Sequence, residues 1–180
     1  ERARPVGEGL FEALGKGYVS LVDGLLGATY PAQRIRVVNM GTGGNTVRDL
    51  KARWQTDVLD LKPDWLSVMI GINDVWRQFD SPRQVEQHVA LDEYENTLDE
   101  LLRVTAPTLQ GLVLMTPYVI EPNRADAMRK TMDAYGQVVR GLAEGDYEIH
   151  FPKRFTRWMK WLRLLPYRWY FPAVRRFTGL

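Results

Sequence analysis

The chain has 180 residues and a formal net charge of +2, with 45% hydrophobic residues, no cysteine and two histidines. That length allows one domain with a real core and is short for two complete ones. The missing cysteines exclude a disulfide framework within these residues, and two histidines make a zinc centre a poor expectation.

In chain order, helical periodicity first covers Gly9 to Leu26. A short apolar run, Ile35 to Val38, then reads as a buried strand of a parallel sheet, as do Trp65 to Ile70 and Gly111 to Met115. Helical patterns fill the intervals at Thr46 to Leu59 and Pro82 to Thr105, and another follows at Arg124 to Leu142. Alternating strands and helices predict an α/β fold with helices on both faces of the sheet. Thr46-Val-Arg-Asp49 has the form of a capping box opening a helix, and Lys62-Pro63-Asp64 is a stop that feeds the next strand. No apolar run reaches the ~18 to 20 residues needed to cross a bilayer. The chain opens on Glu1-Arg-Ala-Arg-Pro5, without Met or a secretory leader, so its first residue is not expected to be the natural start. A cytosolic, reducing compartment is compatible with this composition.

Parallel sheets bind ligands beyond the carboxyl ends of their strands. Those positions hold Asn39-Met-Gly41-Thr-Gly43-Gly44-Asn45-Thr46, Gly71-Ile-Asn73-Asp74 and Thr116-Pro117-Tyr118. A glycine-rich turn entering a helix can offer backbone N–H groups to an anion, or can simply let the chain turn tightly. A phosphate-loop reading lacks its Gly-Lys-Ser/Thr. An asparagine amide held at a strand end can donate to developing negative charge, a contribution of ~3 to 4 kcal/mol in a transition state.

The two glycine–asparagine motifs, in this order and about thirty residues apart, resemble blocks II and III of the SGNH/GDSL serine hydrolases. Arg2-Ala-Arg-Pro5-Val-Gly7 resembles the stretch immediately after the Gly-Asp-Ser motif in some members, which would put that motif just before Glu1. The resemblance implies a three-layer, flavodoxin-like parallel sheet over residues 1–140, incomplete here, and hydrolysis of a carboxylic ester through a seryl acyl-enzyme. It also implies that Gly44 and Asn73 donate to the oxyanion, while Asn39, Gly41, Gly71 and Asp74 support the two loops. No cofactor or metal is implied. The substrate would be a small acyl ester, such as an acetylated carbohydrate or a lipid.

Acyl transfer by this route needs a serine, a histidine base and an orienting carboxylate. Ser20 falls in a helical pattern, Ser67 inside a strand, and Ser81 precedes Pro82 as a helix cap. His88 lies in a helical stretch, and Asp146-Tyr-Glu-Ile-His150 has one residue too many for the family's Asp-x-x-His block. The nucleophile and catalytic histidine are therefore expected to be missing from these residues, and the chain is expected to be inactive.

Residues 146–180 hold eight of the 24 Lys and Arg but two of the 22 Asp and Glu, so this segment carries +6 and the rest −4. Ten of the twenty aromatic residues fall there too, a shift that predicts a basic aromatic helical tail over 141–180. Trp158, Trp161, Leu162 and Leu165 share one helical face. That face could pack on its own domain, or residues 153–176 could lie on an anionic membrane surface; nucleic-acid binding is less expected, because no recognised motif accompanies the aromatics. The stretch from Tyr147 through Leu165-Pro-Tyr-Arg168 also resembles the C-terminal end of certain bacterial short-chain dehydrogenases, which suggests a foreign origin for the tail. It carries no catalytic residue of that family.

Overall fold

The computed structural model describes residues 14, 15 and 17–145. Within them are two parallel strands, β1 (Trp65–Met69) and β2 (Gly111–Met115), paired from Trp65↔Gly111 to Met69↔Met115. Five helices accompany them: α1 (Tyr18–Thr29), α2 (Val47–Ala52), α3 (Ile72–Asp80), α4 (Leu91–Thr105) and α5 (Ala127–Gly145). The described architecture is α/β with a small parallel sheet.

The core grows from the helix periodicity. Tyr94, Leu98, Leu101, Leu102 and Thr105 recur along α4 on one buried stripe, which meets Met132, Tyr135 and Val139 of α5. Helix α5 also packs on α3 and β2, while α2 packs on α4. Trp54 and Val58, beyond α2, close the core, and the Trp54 indole N–H donates to the Thr105 hydroxyl at 2.8 Å. That hydroxyl in turn donates to the Leu101 carbonyl at 2.7 Å, so a polar link inside the core is satisfied. The two strands begin together because Asp64 accepts the Gln110 N–H at 2.8 Å through its carbonyl and the Gln110 side-chain amide at 2.8 Å through its carboxylate.

Four expectations are corrected. Ile35 to Val38 is not a strand: no described segment pairs with it, and Ile35 and Val38 are 42% and 43% exposed. A strand exists only through its ladder, so an apolar run without a neighbour stays irregular. The β1 strand is also not buried on both faces, since Leu66 and Val68 point inward while Trp65, Ser67 and Met69 are exposed. Its edge away from β2 has no partner among the described residues. Finally, the helix expected over Pro82 to Thr105 begins only at Leu91, after a short turn at Val85–Gln87. Carbonyls in this stretch are already taken: Arg48 donates to those of Glu86 and His88, and Gln78 and Tyr135 donate to that of Val89. Similarly, the pattern from Thr46 to Leu59 divides into α2 and a π-helical turn at Gln55–Leu59.

Candidate functional site

The glycine-rich loop before α2 is held in shape by its own side chains. Asn39 accepts the Gly41 N–H at 3.0 Å and donates through its amide to the Leu14 carbonyl at 3.0 Å. A Cβ on Gly41 would stand 3.1 Å from that Asn39 oxygen. Gly44 has φ +84°, a left-handed conformation that glycine adopts without strain. Arg53 donates to the Met40 carbonyl at 2.8 Å, fixing the loop from below. The expected capping arrangement is present: the Thr46 N–H and hydroxyl both donate to Asp49 Oδ2 at 2.8 Å. The Thr46 N–H, foremost, holds the Asp49 carboxyl below its ordinary pKa.

Gly71 opens α3 at φ +116°. A Cβ there would meet Pro117 Cγ and the Tyr94 hydroxyl at 3.0 Å each, so the loops after β1 and β2 touch at this glycine. Tyr94 donates to the Ile70 carbonyl at 3.0 Å and stacks obliquely on Tyr135, with ring centroids 4.8 Å apart. This buried tyrosine pair, with burial raising the pKa of both hydroxyls, is a support that sequence reasoning missed. Its signal was present in the α4 apolar stripe, where Tyr94 occupies a core position.

Two hydrogen bonds join the first loop to the second. The Asn73 amide donates to the Asn45 carbonyl at 2.9 Å, and the Val47 N–H donates to Asp74 Oδ1 at 2.9 Å. One hydrogen of the Asn73 amide is thereby used and a second is left. Asp74 is fully buried, and its Oδ2 has no hydrogen-bond partner among the described residues. Burial pushes its pKa up from 3.8 to about 6, against the lowering effect of the Val47 N–H. The structure thus brings together Asn39, Gly41 and Gly44 of the glycine-rich loop with Gly71, Asn73 and Asp74 at the start of α3, beyond the carboxyl end of β1.

The serines and His88 lie elsewhere in the bonding scheme. The Ser20 hydroxyl donates to the Gly17 carbonyl at the start of α1, and Ser67 sits on the exposed face of β1. Ser81 ends α3 rather than capping a following helix, because no helix starts there, and its hydroxyl donates to Asp80. His88 Nε2 lies 3.0 Å from the Ser81 carbonyl, in the turn before α4 and not inside a helix. His150, the segment Arg2 to Gly7 and the basic aromatic tail lie outside the described residues. Among the described residues no helix is long and apolar enough to cross a membrane, and no group of three or more His, Cys, Asp or Glu could hold a metal ion.

Residues 6–165 match the GDSL-like Lipase/Acylhydrolase family. The chain is 63% identical over 143 residues to an acetylxylan esterase of Geobacillus stearothermophilus, covering 79% of this chain and 65% of that protein. The crystal structure of that esterase superposes with a TM-score of 0.75. An alpha/beta hydrolase enzyme from the metagenome of Lake Arreo, Spain, matches at 61% identity and a TM-score of 0.73, over 77% of this chain and 63% of that one. The chain therefore spans less than two thirds of the length of these relatives, and its fold is an incomplete α/β hydrolase fold of the SGNH type.

Proposed function

Because the chain belongs to the GDSL-like lipase/acylhydrolase family, we propose that it carries the oxyanion-stabilising part of a carboxylic ester hydrolase acting on acetylated carbohydrate. In acyl transfer an attacking oxygen adds to the ester carbonyl and leaves a tetrahedral intermediate with negative charge on the former carbonyl oxygen. The Gly44 N–H and the second hydrogen of the Asn73 amide are the donors for that oxygen. Asn39, Gly41, Gly71 and Asp74 position them. The observation that carries the reading is the Asn73-to-Asn45 hydrogen bond of 2.9 Å, backed by the Val47-to-Asp74 bond, because together they fix the amide against the Gly44 turn. The acetyl and carbohydrate parts of the reading are supported by the name of the esterase relative, and a lipid ester fits it less well.

The chain by itself is expected to be a negligible catalyst. Among the described residues no hydroxyl of Ser20, Ser67 or Ser81 is hydrogen-bonded to a histidine side chain, since His88 meets only the Ser81 carbonyl, and the oxyanion donors without a nucleophile and base leave only a residual contribution. The test compares the 180-residue chain with a version joined at both ends to the remaining segments of the acetylxylan esterase. The joined protein should hydrolyse para-nitrophenyl acetate, and the chain alone should match the buffer rate. Equal turnover by both would overturn the assignment of roles; none by the joined, folded protein would overturn the esterase reading.

A further inference from the structure

Helix α3 divides sharply into two faces. At 100° per residue, Trp76 and Arg77 lie within about 60° of Asn73 around the axis, whereas Asp74, Val75 and Gln78 point the other way. Burial matches that division: Asp74 and Val75 are fully buried, while Trp76 is 51% exposed. Arg77 reaches the glycine-rich loop, with Nη2 at 3.4 Å from the Gly44 carbonyl, and a Cβ on Gly44 would stand 4.0 Å from the same nitrogen. Its other contact, to Gln87 Oε1, is also 3.4 Å. Both are long for a guanidinium with five donors, so among the described residues most of its hydrogen-bonding capacity is unspent.

From this juxtaposition we infer that Trp76 and Arg77 form a saccharide subsite beside the oxyanion donors, Trp76 stacking on a sugar ring and Arg77 donating to its hydroxyls. This rests on the reading of the site as one for acetylated carbohydrate. An aromatic platform with a few convergent polar donors is the composition of a small-molecule site, and a planar guanidinium can serve two neighbouring oxygens at once. An acetyl group directed at Gly44 and Asn73 would hang from a sugar lying along this face of α3. A loose alkyl ester would use neither residue.

Binding is measured without turnover, by titrating the full 180-residue chain with xylo-oligosaccharides, acetylated and alkali-deacetylated, in a calorimeter. The chain should bind both, and Trp76→Ala and Arg77→Ala should each weaken binding about tenfold, the scale of one charge-assisted hydrogen bond or its equivalent in contact. Val104→Ala trims an exposed side chain in the last turn of α4, the end remote from the Gly71 turn that Tyr94 contacts, and should leave affinity unchanged. Because Trp76 is exposed and Arg77 only half-buried, far-ultraviolet circular dichroism should be unaltered in all three variants. No binding by the parent chain, unchanged affinity in the Trp76 and Arg77 variants, or an equal loss in Val104→Ala would each overturn the inference. Failure of the esterase reading would register in the ester assay instead, so the two failures are distinguishable.

Discussion

Replacing Asp74 with alanine sets two opposing effects against each other, and pH separates them. The substitution leaves the buried Val47 N–H without its acceptor, which costs about 1 to 3 kcal/mol. It also removes a carboxylate that burial disfavours, whose pKa stands at about 6 in the folded chain against 3.8 for the free group. An acid with a raised folded pKa is a burden when ionised in both states, above pH 6. As pH falls from 6 toward 3.8 the folded state takes up the proton first, and the wild-type chain recovers stability. The full recovery corresponds to about 3 kcal/mol and the part reached by pH 5 to about 1 kcal/mol. Asp74→Ala should therefore be nearly neutral at pH 7, where the lost bond and the removed burden offset each other. At pH 5 it should be more destabilising by about 1 kcal/mol. Urea unfolding of both proteins at the two pH values measures this directly, and other carboxylates cancel in the difference. A destabilisation that is the same at both values, or larger at pH 7, would refute the account of Asp74 as a buried, destabilised acid.

Two further substitutions probe the scaffold under the site. Gly71→Ala forces a Cβ into a φ of +116° and against Pro117 and Tyr94, so unfolding in urea should show a loss of about 1 to 3 kcal/mol from backbone strain alone. Thr105→Val keeps the shape of the side chain but strands the Trp54 indole N–H in the core; a loss of about 1 to 3 kcal/mol is expected, with the m-value unchanged.

The two glycine–asparagine motifs were easier to place from the sequence than some of the elements between them. Gly44, Asn73 and Asp74 stood out because two glycine–asparagine motifs follow in register about thirty residues apart, and the structure does draw those motifs together. The pairs Trp65 to Met69 and Gly111 to Met115 were recognisable from apolar runs, with Trp65 also covering the side-chain gap at Gly111, where a Cβ would run into its ring. Ile35 to Val38 looked the same in composition and is no strand, because pairing is a property of neighbours and not of the run. The break before α4 was illegible for a related reason. Arg48, Gln78 and Tyr135 claim the carbonyls of Glu86, His88 and Val89 from well away in sequence, and local periodicity carries no trace of them.

In the proposed function the Asn73 amide stabilises charge in the transition state. Steady-state hydrolysis of para-nitrophenyl acetate decides it, measured in the chain joined to those segments of the esterase relative that lie outside the 65% it matches, with and without Asn73→Ala. The substitution should lower kcat about 10² to 10³-fold with KM little changed, as loss of one oxyanion donor requires. An unchanged kcat, or a loss confined to KM, would contradict it.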